Sequence, residues 1–382
     1  FQPSHRGSTP SIAELLQRRA AQVEATGQNV IYLQVGQPST GAPAGTVQAI
    51  ETASRDTTLG YTPASGSVAL RRRLAHQYLE LYDTEIDPQR IVITFGASGA
   101  MILAVIGCFD IGQRIGLPQP FYYGYRYAIA TLGVECVPIE TSIENHFQPT
   151  IADLEAVDGQ LDGLILASPG NPTGSMVDPK HLQDLAAYCE SAGIRLISDE
   201  IYHGIVYDDA EQSTACSHSD EAIVINSFSK YYSMAGWRLG WMVLPEYLVE
   251  PVSNLAHNLF LCPPAPSQIG ALHALDCRDE LDQHVRRYRR NRDMLLERLP
   301  RYGFDRYSAP QGAFYLYCHV KHLHEDSVDF CIEMLEGCGV LPAPGTDFCP
   351  TTGKHFIRFS YAGATEDIEE ALDRIESWRG RG

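Results

Sequence analysis

Short apolar runs alternate with amphipathic stretches between about residue 46 and residue 280. Runs of this length predict strands, and the amphipathic stretches between them predict helices, such as residues 98–109 and 178–192. Several runs are apolar throughout, which is typical of strands buried on both faces of a sheet. The pattern predicts an α/β fold with a mainly parallel seven-stranded sheet flanked by helices. The predicted strands are residues 90–94, 114–117, 134–139, 163–167, 195–198, 222–226 and 240–244.

The N-terminal region follows a different pattern. Residues 11–26 have the spacing of a helix, and residues 30–35 that of a short strand. Residues 36–45 are rich in glycine and proline, which predicts a loop that crosses from one part of the protein to another. We therefore expect residues 1–45 to form a separate N-terminal segment.

The C-terminal third departs from the alternation as well. A long charged helix is predicted at residues 279–299, and a last helix begins with Thr365 as its N-cap. Strands at residues 312–320 and 355–361 belong to a second sheet. We therefore predict a large domain over residues 46–280 and a smaller α+β domain over residues 281–382, with the N-terminal segment packing on the smaller domain.

Composition narrows the classes of partner. The 382-residue chain carries a net charge of −18, which argues against nucleic acid or an anionic membrane as a main partner. Ten cysteines stand singly, without a C-x-x-C pair, and no signal peptide or membrane-spanning apolar run is present. These features predict a cytoplasmic protein with reduced thiols.

Polar residues follow three of the predicted strands. Asn171 follows strand 163–167, Asp199 follows strand 195–198, and Lys230 follows strand 222–226. In open α/β sheets, ligands bind outside the carboxyl ends of the strands, so these side chains are expected to meet at one ligand. Only four of the 29 basic residues are lysines, which makes Lys230 less typical of an ordinary surface charge.

Two segments have the chemistry to bind anions. Residues 94–99 end a strand and open a helix, where backbone N–H groups suit a phosphate. Arg238, eight residues after Lys230, is a permanent charge that pairs well with phosphate. Arg358 stands inside an apolar run and could bind a substrate carboxylate.

Simpler explanations exist for each residue taken alone. Asp199 could be a helix N-cap, residues 94–99 a tight turn, and Arg358 a surface charge on an edge strand. The Gly-x-Ser-x segment at residues 96–99 also looks like a hydrolase nucleophile elbow, but the next residue is Ala100 rather than glycine. Histidines at residues 319, 322 and 324 match no zinc spacing, so no metal site is predicted.

Taken together, the segments resemble the class I/II aminotransferase family of fold-type I pyridoxal phosphate (PLP) enzymes. The resemblance covers nearly the whole chain, in order. It rests on eight motifs. They are a Gly-x-Pro turn (residues 36–38), a Tyr-x4-Gly-x3-Leu-Arg segment (61–71), an aromatic motif (120–125), a Ser-Pro-Gly-Asn-Pro-Thr-Gly loop (168–174), Asp-Glu-Ile-Tyr (199–202), a Ser-x-Ser-Lys motif followed by Gly-Trp-Arg-Leu-Gly (227–240), and two C-terminal motifs (312–315 and 357–360).

The resemblance implies a role for each site residue. Lys230 would form the Schiff base with PLP, and Asp199 would pair with the pyridine nitrogen. Asn171 and Tyr202 would hydrogen-bond the 3′ oxygen, and Tyr122 would stack on the ring. The remaining implied roles are phosphate binding by Ala97, Ser98, Ser227 and Arg238, phosphate binding across a homodimer by Tyr61, and substrate carboxylate binding by Gly36, Asn171 and Arg358.

The resemblance also implies the reaction. An L-amino acid would give its amino group to a 2-oxo acid by a ping-pong mechanism, with Lys230 as the proton carrier. Some relatives that favour aspartate carry a lysine near the position of Ser98, which this chain lacks. Tyr32, Tyr315 and residues 260–261 suggest an apolar pocket. We therefore expect a neutral or aromatic donor, with 2-oxoglutarate or pyruvate as acceptor.

Two other functions fit the same residues. A PLP-dependent C–S lyase or related β-eliminating enzyme begins with the same proton abstraction, and release of pyruvate and ammonia from cystathionine would identify it. A non-catalytic PLP or amino-acid sensor domain is the second alternative. A helix-turn-helix module does not fit within residues 1–30, and an intact Lys230, Asp199 and Arg358 favour catalysis.

Overall fold

The computed structural model describes residues 12–380, which form twelve α-helices and twelve strands. The strands are β1 (Ile31–Tyr32), β2 (Ile91–Thr94), β3 (Arg114–Gln119), β4 (Glu135–Glu140), β5 (Gly163–Ala167), β6 (Arg195–Asp199), β7 (Ile223–Ser227), β8 (Gly240–Val243), β9 (Tyr315–His319), β10 (Val340–Leu341), β11 (Ala343–Pro344) and β12 (Phe356–Ser360). The helices are α1 (Ile12–Glu24), α2 (Ala44–Asp56), α3 (Val68–Tyr82), α4 (Gly96–Cys108), α5 (Tyr123–Thr131), α6 (Ile151–Glu155), α7 (Pro179–Ala192), α8 (Glu246–Phe260), α9 (Ala265–Ala274), α10 (Arg278–Arg298), α11 (Ser327–Cys338) and α12 (Thr365–Arg379).

The central sheet has seven strands in the order β2-β8-β7-β6-β5-β3-β4. The neighbours from β7 to β4 pair in parallel, and β8 is antiparallel to both β7 and β2. Strands β2, β7 and β8 are buried along their whole length, as their apolar sequences require. Two clusters of buried side chains cover opposite faces of the sheet, and helices supply much of each cluster. The predicted fold class, α/β with a mainly parallel sheet, is confirmed.

A third apolar cluster combines the N-terminal and C-terminal regions. Strands β11, β12 and β9 form an antiparallel sheet, and β1 pairs in parallel with β10. Leu16 and Ala20 of α1 are buried in the same cluster as side chains of α11 and α12. The division into domains stays a prediction, and its boundary at residue 280 falls in the first turn of α10.

Two local predictions are wrong. Thr365 is not the N-cap of the last helix, since it is the first helical residue and its hydroxyl donates to Asn291 Oδ1 at 2.9 Å instead. The N-cap is Ala364, which offers no side-chain hydrogen bond. The strand predicted at residues 30–35 is reduced to Ile31–Tyr32, because only this stretch has a parallel partner, in β10. The first predicted position of α1, residue 11, lies outside the described residues.

Among the helices of residues 12–380, none combines the length and the apolar character needed to cross a membrane.

Candidate active site

A cavity of about 490 Å³ lies at the carboxyl ends of strands β5, β6 and β7. This position follows from parallel strand direction, which brings the residues after each strand to one edge of the sheet. Eleven of the twelve predicted site residues line the cavity. They are Gly36, Ala97, Ser98, Tyr122, Asn171, Asp199, Tyr202, Ser227, Lys230, Arg238 and Arg358.

Lys230 projects into the cavity from the turn after β7. Its Nζ donates a hydrogen bond to the carbonyl of Gly36 at 2.7 Å and lies 5.7 Å from the centre of the Tyr202 ring. Burial, and then the positive charge of Arg358, lower the pKa of Lys230 to about 8, although Asp199 opposes the shift. A substantial fraction of this amine is therefore neutral near physiological pH and able to act as a nucleophile or base.

Asp199 ends β6 and is almost completely buried. The hydroxyl of Tyr125 donates to its Oδ2 at 2.5 Å, and the backbone N–H of Ile201 donates to its Oδ1 at 3.2 Å. Burial nevertheless raises the pKa of Asp199 to about 6. A cationic group placed beside this carboxylate would offset the cost of burial.

Glu200, the next residue, points away from the cavity and fixes the turn that follows β6. Its Oε1 accepts hydrogen bonds from Ser198 Oγ, Thr214 Oγ1 and the N–H of Ala215, at 2.9–3.1 Å. Burial raises the pKa of Glu200 to about 8, so a neutral carboxyl is favoured beside Asp199 at neutral pH. The result is a rigid turn that carries Asp199 and Tyr202.

The first turn of α4 faces Arg238. Helix α4 begins at Gly96, so Ala97 and Ser98 lie in its first turn, where backbone N–H groups have no helical acceptor. Gly96 has a φ of +67°, and a Cβ atom there would lie 2.7 Å from Arg238 Nη2. Ser227 Oγ lies 2.8 Å from Ser229 Oγ. Backbone N–H groups, hydroxyls and a guanidinium together suit a phosphate group.

Arg358 lies on β12 and is buried, with 5% of its surface exposed. Its Nη1 donates to Asn171 Oδ1 at 2.7 Å, and its Nη2 donates to the carbonyl of Gln34. Its Nε is buried without a partner among the described residues. Because Arg358 is buried and β12 lies between β11 and β9, the alternative of a surface arginine on an edge strand is wrong. A buried guanidinium that lines the cavity suits a carboxylate.

Aromatic residues line much of the remaining wall. Tyr122 packs against Tyr123 and Tyr125, with ring centres 4.7 and 5.5 Å apart. Phe348 lies under the guanidinium of Arg358 at 4.7 Å from its ring centre. These rings give the cavity a largely apolar surface beside its few charged groups.

Tyr61 is the predicted site residue that does not line the cavity. Its side chain is 85% exposed, an unusual state for a large aromatic ring. Such exposure leaves the ring free to contact a second copy of the chain. The role predicted for Tyr61 across a homodimer therefore stays a prediction.

The prediction of an apolar pocket formed by Tyr32, Tyr315 and residues 260–261 is only partly correct. Tyr315 lines the cavity, but Tyr32 and residues 260–261 do not. Phe260 instead packs against Phe95, with ring centres 5.3 Å apart. The apolar surface comes from residues that sequence reasoning did not select, namely Leu16, Val35, Met101, Ile102, Tyr123 and Phe348.

A family comparison identifies the chain. The family model described as "Aminotransferase class I and II" matches residues 28–375. The chain belongs to the class I and II aminotransferases. The family uses PLP, and the chain is accordingly an aminotransferase that moves an amino group between an amino acid and a 2-oxo acid.

Individual relatives agree with the family. A valine–pyruvate aminotransferase from Mycobacterium tuberculosis is 43% identical over 94% of this chain and 93% of its own length. The crystal structure of an aminotransferase from Mycobacterium tuberculosis aligns with a TM-score of 0.97 at 40% identity, covering 100% of both chains. An aspartate aminotransferase from Thermotoga maritima is 30% identical over 95% of each chain.

The geometry of this aminotransferase fits PLP. A lysine with a lowered pKa suits the aldehyde, and a buried carboxylate without a cationic hydrogen-bond donor suits a protonated ring nitrogen. The first turn of α4 and Arg238 form a cradle that a Cβ atom at Gly96 would fill. The residues that would hold the cofactor are therefore present together in one cavity.

Sequence reasoning missed the contributions of Tyr125 and Ser229, and it expected Tyr315 only in the apolar wall, without its contact with Tyr202. Tyr125 donates to Asp199, Ser229 contacts Ser227, and the hydroxyl of Tyr315 lies 2.8 Å from that of Tyr202. Ser229 could have been found from the Ser-x-Ser-Lys motif. The contacts of Tyr125 and Tyr315 join positions 74 and 113 residues apart in sequence, and no local pattern predicts them.

Proposed function

We propose that this aminotransferase binds PLP and transfers the amino group of a neutral aliphatic or aromatic L-amino acid to a 2-oxo acid. Pyruvate is the favoured acceptor. The observation that carries the proposal is the charge distribution of the cavity. Among the described residues, the basic side chains that line the cavity are Lys230, Arg238 and Arg358. Each of them has a proposed role other than binding a carboxylate on the substrate side chain.

A second carboxylate on the substrate would meet unfavourable surroundings. Asp347 lines the cavity, and burial raises the pKa of its carboxyl to about 6, so it is mostly ionised at neutral pH. Asp199 is the other acidic residue of the cavity wall. An acidic side chain on the donor, or the second carboxylate of 2-oxoglutarate, would therefore lack an uncommitted counter-charge on the described cavity wall. The name of the Mycobacterium tuberculosis relative, valine–pyruvate aminotransferase, agrees with this preference.

The proposed cofactor contacts follow from the cavity wall. Asp199 would hold the ring nitrogen in its protonated form, and Asn171 and Tyr202 would hydrogen-bond the phenolic oxygen. Tyr122 would cover one face of the ring. The phosphate would bind to Ala97, Ser98, Ser227 and Arg238 within the chain and to Tyr61 from the other subunit of a homodimer.

When bound, PLP supplies a carbon that amines attack and a ring that delocalises the electrons left after deprotonation. Arg358, which lines the cavity, would bind the substrate carboxylate through its guanidinium group. The backbone of Gly36 and the amide of Asn171 complete the carboxylate site. Binding of the carboxylate orients the α-carbon, so that its proton lies towards Lys230.

Lys230 is the proposed proton carrier. Because its pKa is about 8, the neutral Nζ can take the proton from the α-carbon and return it elsewhere. The rings of Tyr123 and Phe348 line the cavity, where they would limit the access of water to this transfer. The amino group stays on the enzyme until a second 2-oxo acid removes it, which gives ping-pong kinetics.

Initial-rate kinetics test the proposal. Valine, leucine, phenylalanine and aspartate are compared as donors, with pyruvate and 2-oxoglutarate as acceptors. We expect parallel double-reciprocal lines, and kcat/KM at least about tenfold higher for a neutral donor than for aspartate. Faster turnover of aspartate would refute the proposed substrate class. Intersecting lines would refute the mechanism, and pyruvate and ammonia from cystathionine without an acceptor would favour a lyase.

A further inference from the structure

Tyr315 contacts three parts of the site at once. It is the first residue of β9 and has 1% of its surface exposed. Its hydroxyl lies 2.8 Å from the hydroxyl of Tyr202, and its ring packs edge-on against the Tyr202 ring at 5.6 Å. Among the described residues, Tyr202 is the hydrogen-bond partner of the Tyr315 hydroxyl.

The ring of Tyr315 supports the arginine of the carboxylate site. The guanidinium carbon of Arg358 lies 4.3 Å from the centre of that ring, and Phe348 flanks the same guanidinium. A buried cation over an aromatic face is attracted by the ring quadrupole and restricted in its movement. Tyr315 therefore fixes the position of Arg358 by a contact that does not involve the hydroxyl.

The hydroxyl of Tyr315 also lies against the backbone at Gly36. A Cβ atom at Gly36 would collide with it, so only glycine fits there with the present position of Tyr315. The carbonyl of Gly36 accepts the hydrogen bond from Lys230 Nζ. One side chain thus touches the carboxylate arginine, a cofactor-binding tyrosine and the residue that holds the lysine.

We propose that Tyr315 is a positioning residue with two separable roles. Its ring holds Arg358 for the substrate carboxylate, and its hydroxyl strengthens the hydrogen bond that Tyr202 donates to the cofactor. The inference rests on the proposed function, because Tyr202 needs a bound PLP as its acceptor.

The direction of the hydrogen bond follows from counting protons. Each tyrosine hydroxyl carries one hydrogen, so Tyr202 cannot donate to both Tyr315 and the phenolic oxygen of the cofactor. When Tyr202 donates to the cofactor, Tyr315 must donate to Tyr202. A hydroxyl that accepts a hydrogen bond becomes a stronger donor, because successive hydrogen bonds polarise one another.

Tyr315→Phe removes the hydroxyl and keeps the ring. Without the donor from Tyr315, Tyr202 would bind the phenolic oxygen less strongly, and that oxygen would keep more negative charge. This negative charge would stabilise a proton on the neighbouring nitrogen, so that the proton would be lost at a higher pH than in the wild type. We expect the pH midpoint of the visible absorbance band of the holoenzyme to rise by about 0.5 unit, a shift typical of weakening one hydrogen bond. The KM for the amino acid should stay within about twofold.

Tyr315→Leu removes the ring as well. The loss of the contact with Arg358 should raise the KM for the amino acid about tenfold, in addition to any shift in the pH midpoint of the absorbance band. Tyr317→Phe is the matched control, because Tyr317 lies on the same strand, is equally buried and does not line the cavity, and its hydroxyl has no hydrogen-bond partner among residues 12–380. This control should match the wild type in both midpoint and KM.

The outcomes separate the two proposals. A wild-type protein without a visible band in the presence of PLP would overturn the proposed function, and this inference with it. A wild-type band whose midpoint is unchanged in Tyr315→Phe would overturn only the role of the hydroxyl. An unchanged KM in a folded Tyr315→Leu would overturn the role of the ring. If Tyr315→Leu does not fold, the midpoint of Tyr315→Phe and its unchanged KM decide the inference.

Discussion

The chemistry of the site depends on two charged groups that are costly to bury. Lys230 would have a pKa of 10.5 in water and Asp199 a pKa of 3.8, and burial moves the two values to about 8 and about 6. Each shift favours the neutral form of its group. The protein therefore keeps a lysine that deprotonates readily and a carboxylate that gains from a cationic partner, as a PLP site requires.

Lys230→Met should stabilise the protein in the absence of PLP. Since the folded state lowers the pKa of Lys230, the ammonium destabilises the fold below pH 8, and this penalty disappears as the pH rises from about 8 to 10.5. We expect a gain of roughly 2 kcal/mol at pH 7 that shrinks at pH 10, measured by urea unfolding. Lys180→Met, at an exposed lysine of α7, is the control. An equal gain at both pH values would contradict the lowered pKa.

Tyr125→Phe should weaken cofactor binding in a pH-dependent way. The hydroxyl of Tyr125 stabilises the ionised form of Asp199, so its removal raises the pKa of Asp199 further. We expect the Kd for PLP, measured by equilibrium dialysis, to rise about tenfold at pH 6 and less at pH 8. Tyr127→Phe on the same helix should have no effect, because Tyr127 does not line the cavity. An equal loss at both pH values would argue against this role.

Sequence reasoning found the site residues that belong to continuous motifs. Asp199, Lys230 and Arg238 stand in short segments with a recognisable order of residue types, so their chemistry was visible without a structure. Tyr125 and Tyr315 act through contacts with distant segments. Such contacts depend on how the strands and helices pack, and a single sequence does not contain that information in local form.

At the scale of elements, strand direction places the chemistry. The parallel strands β5, β6 and β7 end at one edge of the sheet, where Asp199 ends β6 while Asn171 and Lys230 follow β5 and β7. Their convergence could be predicted, because continuous apolar runs identify buried parallel strands and such strands present their carboxyl ends together. Element ends were less predictable, as Thr365 shows, because its hydroxyl is engaged by Asn291 of another helix.

Gly96→Ala tests the start of α4 as a phosphate site. An alanine there would have a strained positive φ, and its Cβ atom would displace Arg238 Nη2. Since a hydrogen bond to a charged group contributes about 1.5–3 kcal/mol, we expect the Kd for PLP to rise at least about tenfold. Gly236→Ala is the control, because a Cβ atom at residue 236 meets nothing within 4 Å. Equal affinity in both variants would refute the cradle.

At the scale of the whole molecule, the exposed ring of Tyr61 fits the proposal that two chains share each site. A tyrosine with 85% of its surface exposed contributes nothing to the core of its own chain. The proposed homodimer would place this ring at the phosphate of the other subunit. Sequence reasoning reached this role only through the family resemblance, because no property of one chain specifies its partner.

Hybrid dimers test the sharing of sites. Tyr61→Ala and Lys230→Ala should each lose most activity, and a mixture that exchanges subunits should regain up to about a quarter of the wild-type value. This value follows because half of the dimers are hybrids and each hybrid has one intact site of two. A mixture with no more activity than its components would place Tyr61 and Lys230 of the same chain in one site.

The central claim is that Lys230 and its cavity carry out a transamination half-reaction on a neutral amino acid. The most direct measurement is the visible spectrum of the purified protein with PLP, recorded as single amino acids are added without an acceptor. We predict a yellow band that valine, leucine or phenylalanine removes, with release of one 2-oxo acid per site, and that aspartate removes far more slowly. Absence of the band, or its loss with aspartate alone, would contradict the account.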